Sequence, residues 1–479
     1  ARARVRGLCV LFTFMRRKLQ CQGLICRGDK LGRPLLPPTF HRELLHVSEP
    51  IISVSGLRGI IGDQLTPLVA MRYVSALAAS LGAGGVVVAR DGRASGEMLF
   101  QTVASTLVGH GMTVIDLGIA ATPTVGVAVR EFGATAGIQI SASHNPRQYN
   151  GLKLFAGSGR VLSKSTGERV LAGYQEGRSR WQGIDHIGKQ VTVADPHQHH
   201  LDLVLATVDT DAIKSKRFKV LLDSNRGAGS LLGRRLLESL GCGVTLLGGQ
   251  PDGQFEHVPE PLAVNLQSVC DRAINCGADI TFCQDPDADR LAIIDEQGNY
   301  IGEELTLALC LLSVLPHISG PIVTNCATSS LTKHLAKQFD VPYYQSAVGE
   351  ANVVDEMLSR KAVFGGEGNG GPIDPRVGLV RDSFVGMALV LELLAKRSAP
   401  LSQIVATLPP LARRPPLGSG KRMICLIQPN TACSMYVAAW SPPATLAPLP
   451  AASSSARMPS GAGGELTQAK KRELAFPIG

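Results

Sequence analysis

The run Val86-Val87-Val88-Ala89 begins a pattern that occurs three times along the chain. A polar loop, a helical stretch (98–109) and a second apolar run (113–117) follow it. The same order recurs at residues 220–247 and 322–344. Continuous apolar strands joined through helices are typical of parallel sheets that helices cover. Three copies separated by about a hundred residues predict three similar α/β domains and exclude a short-period solenoid.

Changes in composition mark where these units begin and end. The first residues show no sustained helical or strand period. After Leu408 the chain becomes rich first in Pro and Arg and then in Pro, Ala, Ser and Gly, which is typical of disordered or poorly packed sequence. The predicted division is a disordered basic leader at 1–48, three domains at 49–190, 196–298 and 299–408, and an aberrant region at 409–479.

Charge and cysteine content narrow the class of protein. The formal net charge of +9 comes from the two ends, because residues 1–48 and 411–479 are strongly basic while the stretch between them is net acidic. This distribution argues against a nucleic-acid-binding body. The 11 cysteines form no Cys-x-x-Cys pair, which suggests reduced core residues. No run approaches the roughly 18 apolar residues of a membrane span. We therefore predict a cytoplasmic protein without nucleic-acid or membrane partners.

A polar loop follows the apolar run at 136–140, and it reads Ser141-Ala-Ser-His-Asn-Pro146. Its Asn-Pro step disfavours a helix, and Asn150-Gly151 predicts a second turn before the next strand. Ser143 should therefore lie on a tight, exposed loop, with His144 beside it and Lys153 nearby. A hydroxyl held in this way is a candidate nucleophile or carrier of a transferred group. The alternative is a polar turn whose side chains bond only their own backbone.

The sequence Asp285-Pro-Asp-Ala-Asp-Arg290 lies between two predicted strands. Three carboxylates at alternate positions of one turn can converge on a hard divalent cation. An EF-hand loop is excluded, because Arg290 stands where that loop requires glycine and the flanking elements are strands. A solvated acidic turn is the remaining alternative.

Two glycine-rich loops complete the set of candidate sites. Ser55-Gly-Leu-Arg-Gly59 places Arg58 between glycines, which suits an approach to an anion. Gly366-Glu-Gly-Asn-Gly370 offers one carboxylate and one amide, the groups needed to hold vicinal sugar hydroxyls. Taken singly, each loop could also be a plain turn.

These four motifs occur in one order over residues 49–405, and together they resemble the α-D-phosphohexomutases. This is the family of phosphoglucomutase, phosphomannomutase and phosphoglucosamine mutase. The resemblance implies four domains round a central cleft. For this chain we expect three similar α/β/α domains with mixed, largely parallel sheets round a cleft, and a degenerate or disordered C-terminal region.

The resemblance also implies a role for each motif. Ser143 would carry the phosphoryl group and, with the three aspartates, bind Mg²⁺. Glu367 would hold sugar hydroxyls, and Asn369 stands where many members have serine. The implied set is Ser143, Asp285, Asp287 and Asp289 for the metal, and Gly366, Glu367, Gly368 and Asn369 for the sugar.

The implied reaction interconverts hexose 6-phosphate and hexose 1-phosphate through a hexose 1,6-bisphosphate. Arg58 and Arg290 could stabilise the transferred oxygens, and Lys153 or His144 could move the proton of the sugar hydroxyl. Ser141 and Ala288 resemble the glucosamine branch, whereas the loop around Glu367 resembles relatives that use mannose or glucose. We expect glucosamine phosphate as the substrate, and a monomer or homodimer.

One departure from the family pattern concerns its fourth domain. That domain carries an Arg-x-Ser-Gly/Asn-Thr-Glu-Pro type loop for the phosphate that is not transferred, and no such sequence follows Leu408. Residues 409–479 are therefore expected to be an aberrant remnant of this domain. The alternatives are a catalytically impaired sugar-phosphate-binding relative and a metal phosphatase that hydrolyses the phosphoserine.

Overall fold

Residues 49–53 and 56–409 are described in a computed structural model of the chain. Three β-sheets of seven, four and four strands follow one another along this part. Helices pack on both faces of each sheet, so the expected three α/β/α domains with mixed sheets are confirmed. The predictions for residues 1–48, for Ser55 and for residues 410–479 lie outside the described residues.

The first sheet places two loops side by side at the carboxyl ends of two parallel strands. Its strands are β1 (Ile51–Ser53), β2 (Gly56–Ile60), β3 (Gly85–Arg90), β4 (Thr113–Ile119), β5 (Ala136–Ile140), β6 (Tyr149–Ala156) and β7 (Gln190–Thr192). Their spatial order is β1-β2-β6-β5-β3-β4-β7. The β3–β5 pair is parallel, with Arg90 opposite Ile140. The loops that follow these two residues therefore lie side by side, as the carboxyl ends of parallel strands do.

Four helices cover this sheet: α1 (Pro67–Ser80), α2 (Gly96–Gly109), α3 (Thr122–Glu131) and α4 (Lys164–Gln175). Pro67 stands in the first turn of α1, where its missing N–H is not needed, and the Thr66 side chain caps the helix. Helices α1, α2 and α4 pack on one face, and α3 packs on the other. A short 3₁₀ turn, Ile184–His186, follows before β7.

The second sheet carries the acidic motif. Its strands are β8 (Lys219–Asp223), β9 (Gly243–Leu247), β10 (Ile280–Gln284) and β11 (Leu291–Ile294), and their order is β11-β10-β8-β9. Strands β8, β9 and β10 are parallel, whereas β10 and β11 are antiparallel neighbours joined by residues 285–290. The helices are α5 (Gln198–Leu205), α6 (Thr210–Lys216), α7 (Gly229–Ser239) and α8 (Gln267–Cys276).

The third sheet carries the glycine-rich loop with Glu367. Its strands are β12 (Ile322–Asn325), β13 (Tyr343–Ser346), β14 (Phe364–Glu367) and β15 (Gly371–Ile373), in the order β13-β12-β14-β15. Only β14 and β15 pair antiparallel, and the loop joins them. The helices are α9 (Glu303–Val314), α10 (Ser330–Gln338), α11 (Glu350–Arg360), α12 (Ser383–Arg397) and α13 (Leu401–Ala406).

A single hydrophobic core joins the second and third sheets. It includes Phe282 of β10 and Phe364 of β14, and it continues through α12. Asp382 caps the start of α12 by accepting hydrogen bonds from two backbone N–H groups. Residues 383–395 of this helix are buried on every side, because it packs between elements of both sheets. Among the residues that the structure describes, no helix has the length and apolar character needed to cross a bilayer.

Candidate active site

Ser143 lies in the loop between β5 and β6, and it is buried. Only 2% of the residue is exposed, so the predicted exposure of Ser143 is wrong, although residues 146–148 of the same loop are exposed. The predicted turn at Asn150-Gly151 is also wrong, because both residues lie within β6. Ser143 has φ = +50°, a left-handed conformation that is strained for a residue with a side chain. Strain of this kind persists only where the surroundings fix the backbone.

Arg93 fixes that backbone from the neighbouring loop after β3. Its guanidinium donates hydrogen bonds to four carbonyl oxygens of the serine loop: Ser143 at 2.6 Å, Asn145 at 2.8 Å, Pro146 at 2.8 Å and Tyr149 at 3.1 Å. The Arg93 side chain is 1% exposed and also pairs with the buried Asp91 carboxylate, at 3.0 Å from Nε. The five N–H donors of arginine suit such a set of acceptors, which lysine could not satisfy.

Asp91 supports the serine loop through a second route. Its Oδ2 accepts a 2.6 Å hydrogen bond from the Ser141 hydroxyl, and Oγ of Ser141 in turn accepts from the Ser143 N–H at 2.8 Å. Burial raises the pKa of Asp91, although the charge of Arg93 opposes the rise. Sequence reasoning missed Asp91 and Arg93. The available signal was a charged pair directly after a buried strand.

The acidic motif forms a buried cluster beside Ser143. Asp285, Asp287 and Asp289 are all fully buried, and one side-chain oxygen of each lies within 4.8 Å of those of the other two. The Ser143 hydroxyl donates a 2.7 Å hydrogen bond to Oδ2 of Asp285. The structure thus brings together the predicted phosphoryl carrier and the predicted metal ligands.

Two cationic side chains and one hydroxyl group contact the carboxylates of Asp287 and Asp289. Nζ of Lys153 lies 2.7 Å from Oδ2 of Asp289 and 3.3 Å from Oδ2 of Asp287. Oδ2 of Asp287 also accepts a 2.5 Å hydrogen bond from the Thr122 hydroxyl, and Oδ2 of Asp289 lies 2.6 Å from Arg381. Thr122 and Arg381 were not found from the sequence.

The three carboxyls therefore differ in proton affinity. Burial, together with the charges of Asp287 and Asp289, raises the pKa of Asp285 well above its usual range. Burial also acts to raise the pKa of Asp289, but Arg381 and Lys153 outweigh it and hold that pKa below its usual range. The pKa of Asp287 is also lowered, because Lys153 and the Thr122 hydroxyl outweigh its burial.

Two oxygens of the cluster fit a bound cation. Oδ1 of Asp287 and Oδ1 of Asp289 are buried and accept no hydrogen bond from any described residue. A buried carboxylate oxygen without a partner is costly, and a divalent ion would satisfy it. Carboxylate oxygens are also the ligands that Mg²⁺ and Ca²⁺ prefer. The residues present therefore fit a hard divalent metal, without specifying which one.

The loop with Glu367 lies at the far side of the same cluster. Oε1 of Glu367 accepts hydrogen bonds from Asn325 at 2.7 Å and from the Gly349 N–H at 3.2 Å. Its Oε2 accepts from Arg381 at 2.8 Å. Oδ1 of Asn369 is buried and accepts no hydrogen bond within the described chain.

The glycines of this loop pack closely against their neighbours, and at Gly366 the neighbour is backbone. Gly366 has φ = +150°, and a Cβ there would lie 2.5 Å from the Gly371 carbonyl oxygen. A Cβ at Gly368 would lie 2.4 Å from Oε1 of Glu304. The Gly368 N–H donates to the Thr328 hydroxyl. Both glycines thus let the loop approach its neighbours.

The remaining candidates are His144, Arg58 and Arg290, which contact Ser143, Asn145 and Asp289, respectively. Nδ1 of His144 lies 3.3 Å from the Ser143 hydroxyl oxygen, and burial and the charges of Arg290 and Arg58 lower the pKa of His144 to about 4. Arg58 donates to Oδ1 of Asn145 at 3.3 Å, and Nε of Arg290 lies 3.9 Å from Oδ1 of Asp289. Contacts therefore link Ser143, His144 and the three aspartates with Lys153, Arg290 and, through Arg381, Glu367, and Arg58 joins them through Asn145.

This arrangement can bind an anion and a cation side by side. It contains a hydroxyl that donates to one of three clustered carboxyl groups, two arginines whose charges act on His144, and the imidazole of His144 itself, which is unprotonated at neutral pH. Such groups suit transfer of a phosphoryl group, which depends on positioning and charge neutralisation.

Comparison with known proteins supports this chemistry. Models of the phosphoglucomutase/phosphomannomutase α/β/α domains I, II and III match residues 51–181, 198–298 and 303–411, respectively. In solved structures, the chain is similar to a phosphoglucomutase/phosphomannomutase family protein from Burkholderia thailandensis, with a TM-score of 0.68 and 26% identity over 75% of this chain and 81% of that one. Similarity to a phosphoglucomutase from Paramecium, with a TM-score of 0.65 and 17% identity over 75% of this chain and 74% of that one, shows the fold alone.

Curated relatives from Thermococcus kodakarensis are similar over most of their length. One, named phosphoglucomutase/phosphomannomutase, is 37% identical over 364 residues, which are 74% of this chain and 79% of the relative. Another, named "Probable phosphoglucosamine mutase", is 33% identical over 74% of this chain and 78% of the relative. The chain therefore belongs to the phosphoglucomutase/phosphomannomutase family of mutases.

Proposed function

We propose that this chain is a metal-dependent phosphohexomutase. It would interconvert hexose 6-phosphates and hexose 1-phosphates through a phosphoserine at Ser143 and a hexose 1,6-bisphosphate intermediate. The observation that carries the proposal is the 2.7 Å hydrogen bond from the Ser143 hydroxyl to Asp285, at a buried carboxylate cluster with two unpartnered oxygens. A hydroxyl placed there would carry its phosphate next to the cation that such a cluster fits.

The proposed reaction moves two phosphoryl groups in opposite directions. In the first step, the free hydroxyl of the hexose phosphate attacks the phosphorus on Ser143. The bond from phosphorus to Ser143 Oγ breaks, and a bond to the sugar oxygen forms. The bisphosphate then reorients so that its other phosphoryl group faces Ser143, and Ser143 Oγ takes this group. The phosphoserine is thereby restored, and the sugar phosphate leaves as its isomer.

We infer that Asp285, Asp287, Asp289 and the phosphoserine hold Mg²⁺. When bound, this ion would neutralise charge on the phosphoryl group during its transfer. Arg58 and Arg290 contribute positive charge that acts on His144, next to Ser143. Lys153 lies within ion-pair distance of two of the aspartates, and its pKa is raised by them despite its burial. This environment favours a role in charge balance over one in accepting a proton.

His144 is the better candidate to accept the proton of the sugar hydroxyl. Its lowered pKa leaves the imidazole unprotonated at neutral pH. A phosphoryl group on Ser143 would place negative charge beside Nδ1 and raise the pKa of His144 towards neutrality. The ring would then have the proton affinity that general base catalysis near neutral pH requires.

Glu367 and Asn369 are proposed to bind the sugar hydroxyls. This is supported by Oδ1 of Asn369, which accepts no hydrogen bond within the described chain.

We propose glucosamine phosphate as the substrate, on the basis of Ser141 and Ala288, with mannose and glucose phosphates as alternatives. The domain boundaries at 49–190, 196–298 and 299–408, a monomer or homodimer, and a cytoplasmic location stay predictions.

A coupled mutase assay tests the proposal. The chain is given Mg²⁺, a trace of hexose 1,6-bisphosphate, and the 6-phosphates of glucosamine, glucose and mannose in turn. We expect formation of the 1-phosphate, with the highest rate for glucosamine, and loss of turnover in Ser143→Ala. Ser165→Ala, on the exposed side of α4, is the matched control and should retain full activity. Release of inorganic phosphate in place of hexose 1-phosphate would instead identify a phosphatase.

A further inference from the structure

Arg381 connects two motifs that lie far apart in the sequence. It precedes α12, and its side chain is 9% exposed. One terminal nitrogen lies 2.6 Å from Oδ2 of Asp289, in the acidic motif, and the other lies 2.8 Å from Oε2 of Glu367, in the glycine-rich loop. A single guanidinium thus bridges the two carboxylates directly.

Glu350, at the start of α11, holds Arg381 in this position. Its Oε1 accepts a 3.0 Å hydrogen bond from the Arg381 backbone N–H, and its Oε2 lies 3.4 Å from Nε of Arg381. Both the backbone and the side chain of Arg381 are therefore anchored. The planar guanidinium then fixes the separation of the Asp289 and Glu367 carboxylates, because its two terminal nitrogens have a rigid geometry.

The charges reinforce this geometry. Arg381 is buried, and the carboxylates of Asp289, Glu350 and Glu367 raise its pKa well above the usual range despite the burial. Arg381 therefore stays charged. Removal of one negatively charged partner changes the electrostatic interaction of its guanidinium with the other two carboxylates. Lys153 also contacts Asp289, but its other partner is Asp287, in the same motif. Arg381 thus differs from Lys153 in reaching the glycine-rich loop.

We propose that Arg381 is a positioning residue that sets the sugar-binding carboxylate of Glu367 relative to the metal-binding carboxylate of Asp289. A change of charge at Asp289 is transmitted through Arg381 to the affinity for the sugar phosphate. The inference rests on the proposed function, because it takes Glu367 as a sugar-binding group.

The test is made without metal, so that direct contact between a metal ion and the sugar phosphate cannot contribute. The dissociation constant of the tightest-binding hexose 6-phosphate is measured by calorimetry in EDTA for the unaltered chain, Asp289→Asn and Asp287→Asn. Both variants remove a carboxylate next to Lys153, but only Asp289 contacts Arg381. We expect Asp289→Asn to weaken binding by about fivefold or more, and Asp287→Asn to have a clearly smaller effect.

The same substitution is then made in an Arg381→Lys background. Lysine keeps the charge but cannot bond both carboxylates in the same geometry, so Asp289→Asn should then change the dissociation constant by less than about twofold. Arg376→Lys is the matched control. Arg376 pairs with Asp374, and none of its contacts in the described chain involves the acidic motif or the loop of Glu367. In that background the effect of Asp289→Asn should be unchanged.

Three results would overturn the inference. The first is that Asp289→Asn and Asp287→Asn change the dissociation constant equally. The second is that neither changes it. The third is that the effect of Asp289→Asn on the dissociation constant persists in the Arg381→Lys background. If Arg381→Lys does not fold, the comparison of the two aspartate variants still decides between a specific and a general charge effect. Failure of every hexose 6-phosphate to bind the unaltered chain would contradict the proposed function itself, a result distinct from these three.

Discussion

The hydroxyl of Ser143 donates a 2.7 Å hydrogen bond to Oδ2 of Asp285, which lies 142 residues later in the chain. This contact joins the loop at the edge of the first sheet to the antiparallel turn of the second. It also places a strained serine against a carboxyl whose pKa is raised by burial and by its acidic neighbours.

The left-handed backbone of Ser143 predicts that a non-glycine residue at this position lowers the free energy of unfolding. Both Ser143→Ala and Ser143→Gly remove the hydroxyl, but only glycine adopts φ = +50° without steric cost. We expect Ser143→Gly to be more stable than Ser143→Ala by about 1 kcal/mol, measured as the free energy of unfolding in denaturant. Equal stabilities would show that the serine loop relaxes out of the left-handed conformation.

The bonds of Arg93 predict that this residue organises the serine loop. Arg93→Met would leave Asp91 buried without its cation and would take one donor from each of four carbonyl oxygens, of which only that of Pro146 is shown to keep another, the Tyr149 N–H. We expect a loss of about 3–5 kcal/mol in the free energy of unfolding. Arg178→Met removes an exposed ion pair with Glu176 and serves as the control, with an expected loss below about 1 kcal/mol. A small loss for Arg93→Met would contradict the assigned role.

Several elements of the fold could be predicted from the sequence because their signals are local. The apolar runs at Val86, Val220 and Ile322 all lie in buried strands, and the helices that follow them form as expected. The three aspartates at alternate positions converge because they share one turn. Their clustering needs no information from distant parts of the chain.

Other features depend on contacts that no local pattern contains. Arg381 lies 92 residues from Asp289, and nothing in its immediate sequence marks it as a partner of the acidic motif. The burial of Ser143 was also missed, because the loop looks polar and exposed until the second domain packs against it. Such contacts arise when separate sheets come together, after the local elements have been specified.

Glu303, at the start of α9, predicts a pH dependence of stability. Burial, aided by the charges of Glu260 and Glu304, raises the pKa of Glu303 from 4.5 to about 7, although Arg290 opposes the rise. The folded state then binds the proton more tightly than the unfolded state does. The contribution of this group to stability is fully present below about pH 4.5 and is lost as pH rises towards 7.

Replacement of Glu303 with glutamine should remove this dependence. Relative to the unaltered chain, we expect Glu303→Gln to gain stability as pH rises from 4.5 to 7, measured by denaturant unfolding across this range. Glu168→Gln, on the exposed face of α4, is the control and should show the pH profile of the unaltered chain. Parallel profiles for all three proteins would contradict the raised pKa.

The unpartnered oxygens of Asp287 and Asp289 predict that a divalent ion stabilises the folded chain. At a Mg²⁺ concentration a hundred times its dissociation constant, the free energy of unfolding should rise by about 2.7 kcal/mol. Asp287→Asn should lose most of this gain, because it removes one carboxylate ligand. The measurement is denaturant unfolding with Mg²⁺ and with EDTA. An equal gain in the variant would place the metal elsewhere.

Transfer of a phosphoryl group through Ser143 is tested most directly by following that group on the protein. The chain is incubated with Mg²⁺ and hexose 1,6-bisphosphate and then freed of the bisphosphate, and its intact mass and modified residue are determined before and after addition of excess glucosamine 6-phosphate. We expect one phosphoryl group on Ser143 that leaves when the sugar phosphate is added and is recovered as hexose bisphosphate. A chain that never acquires this group, or that releases it only as inorganic phosphate, would not be a mutase that works through Ser143.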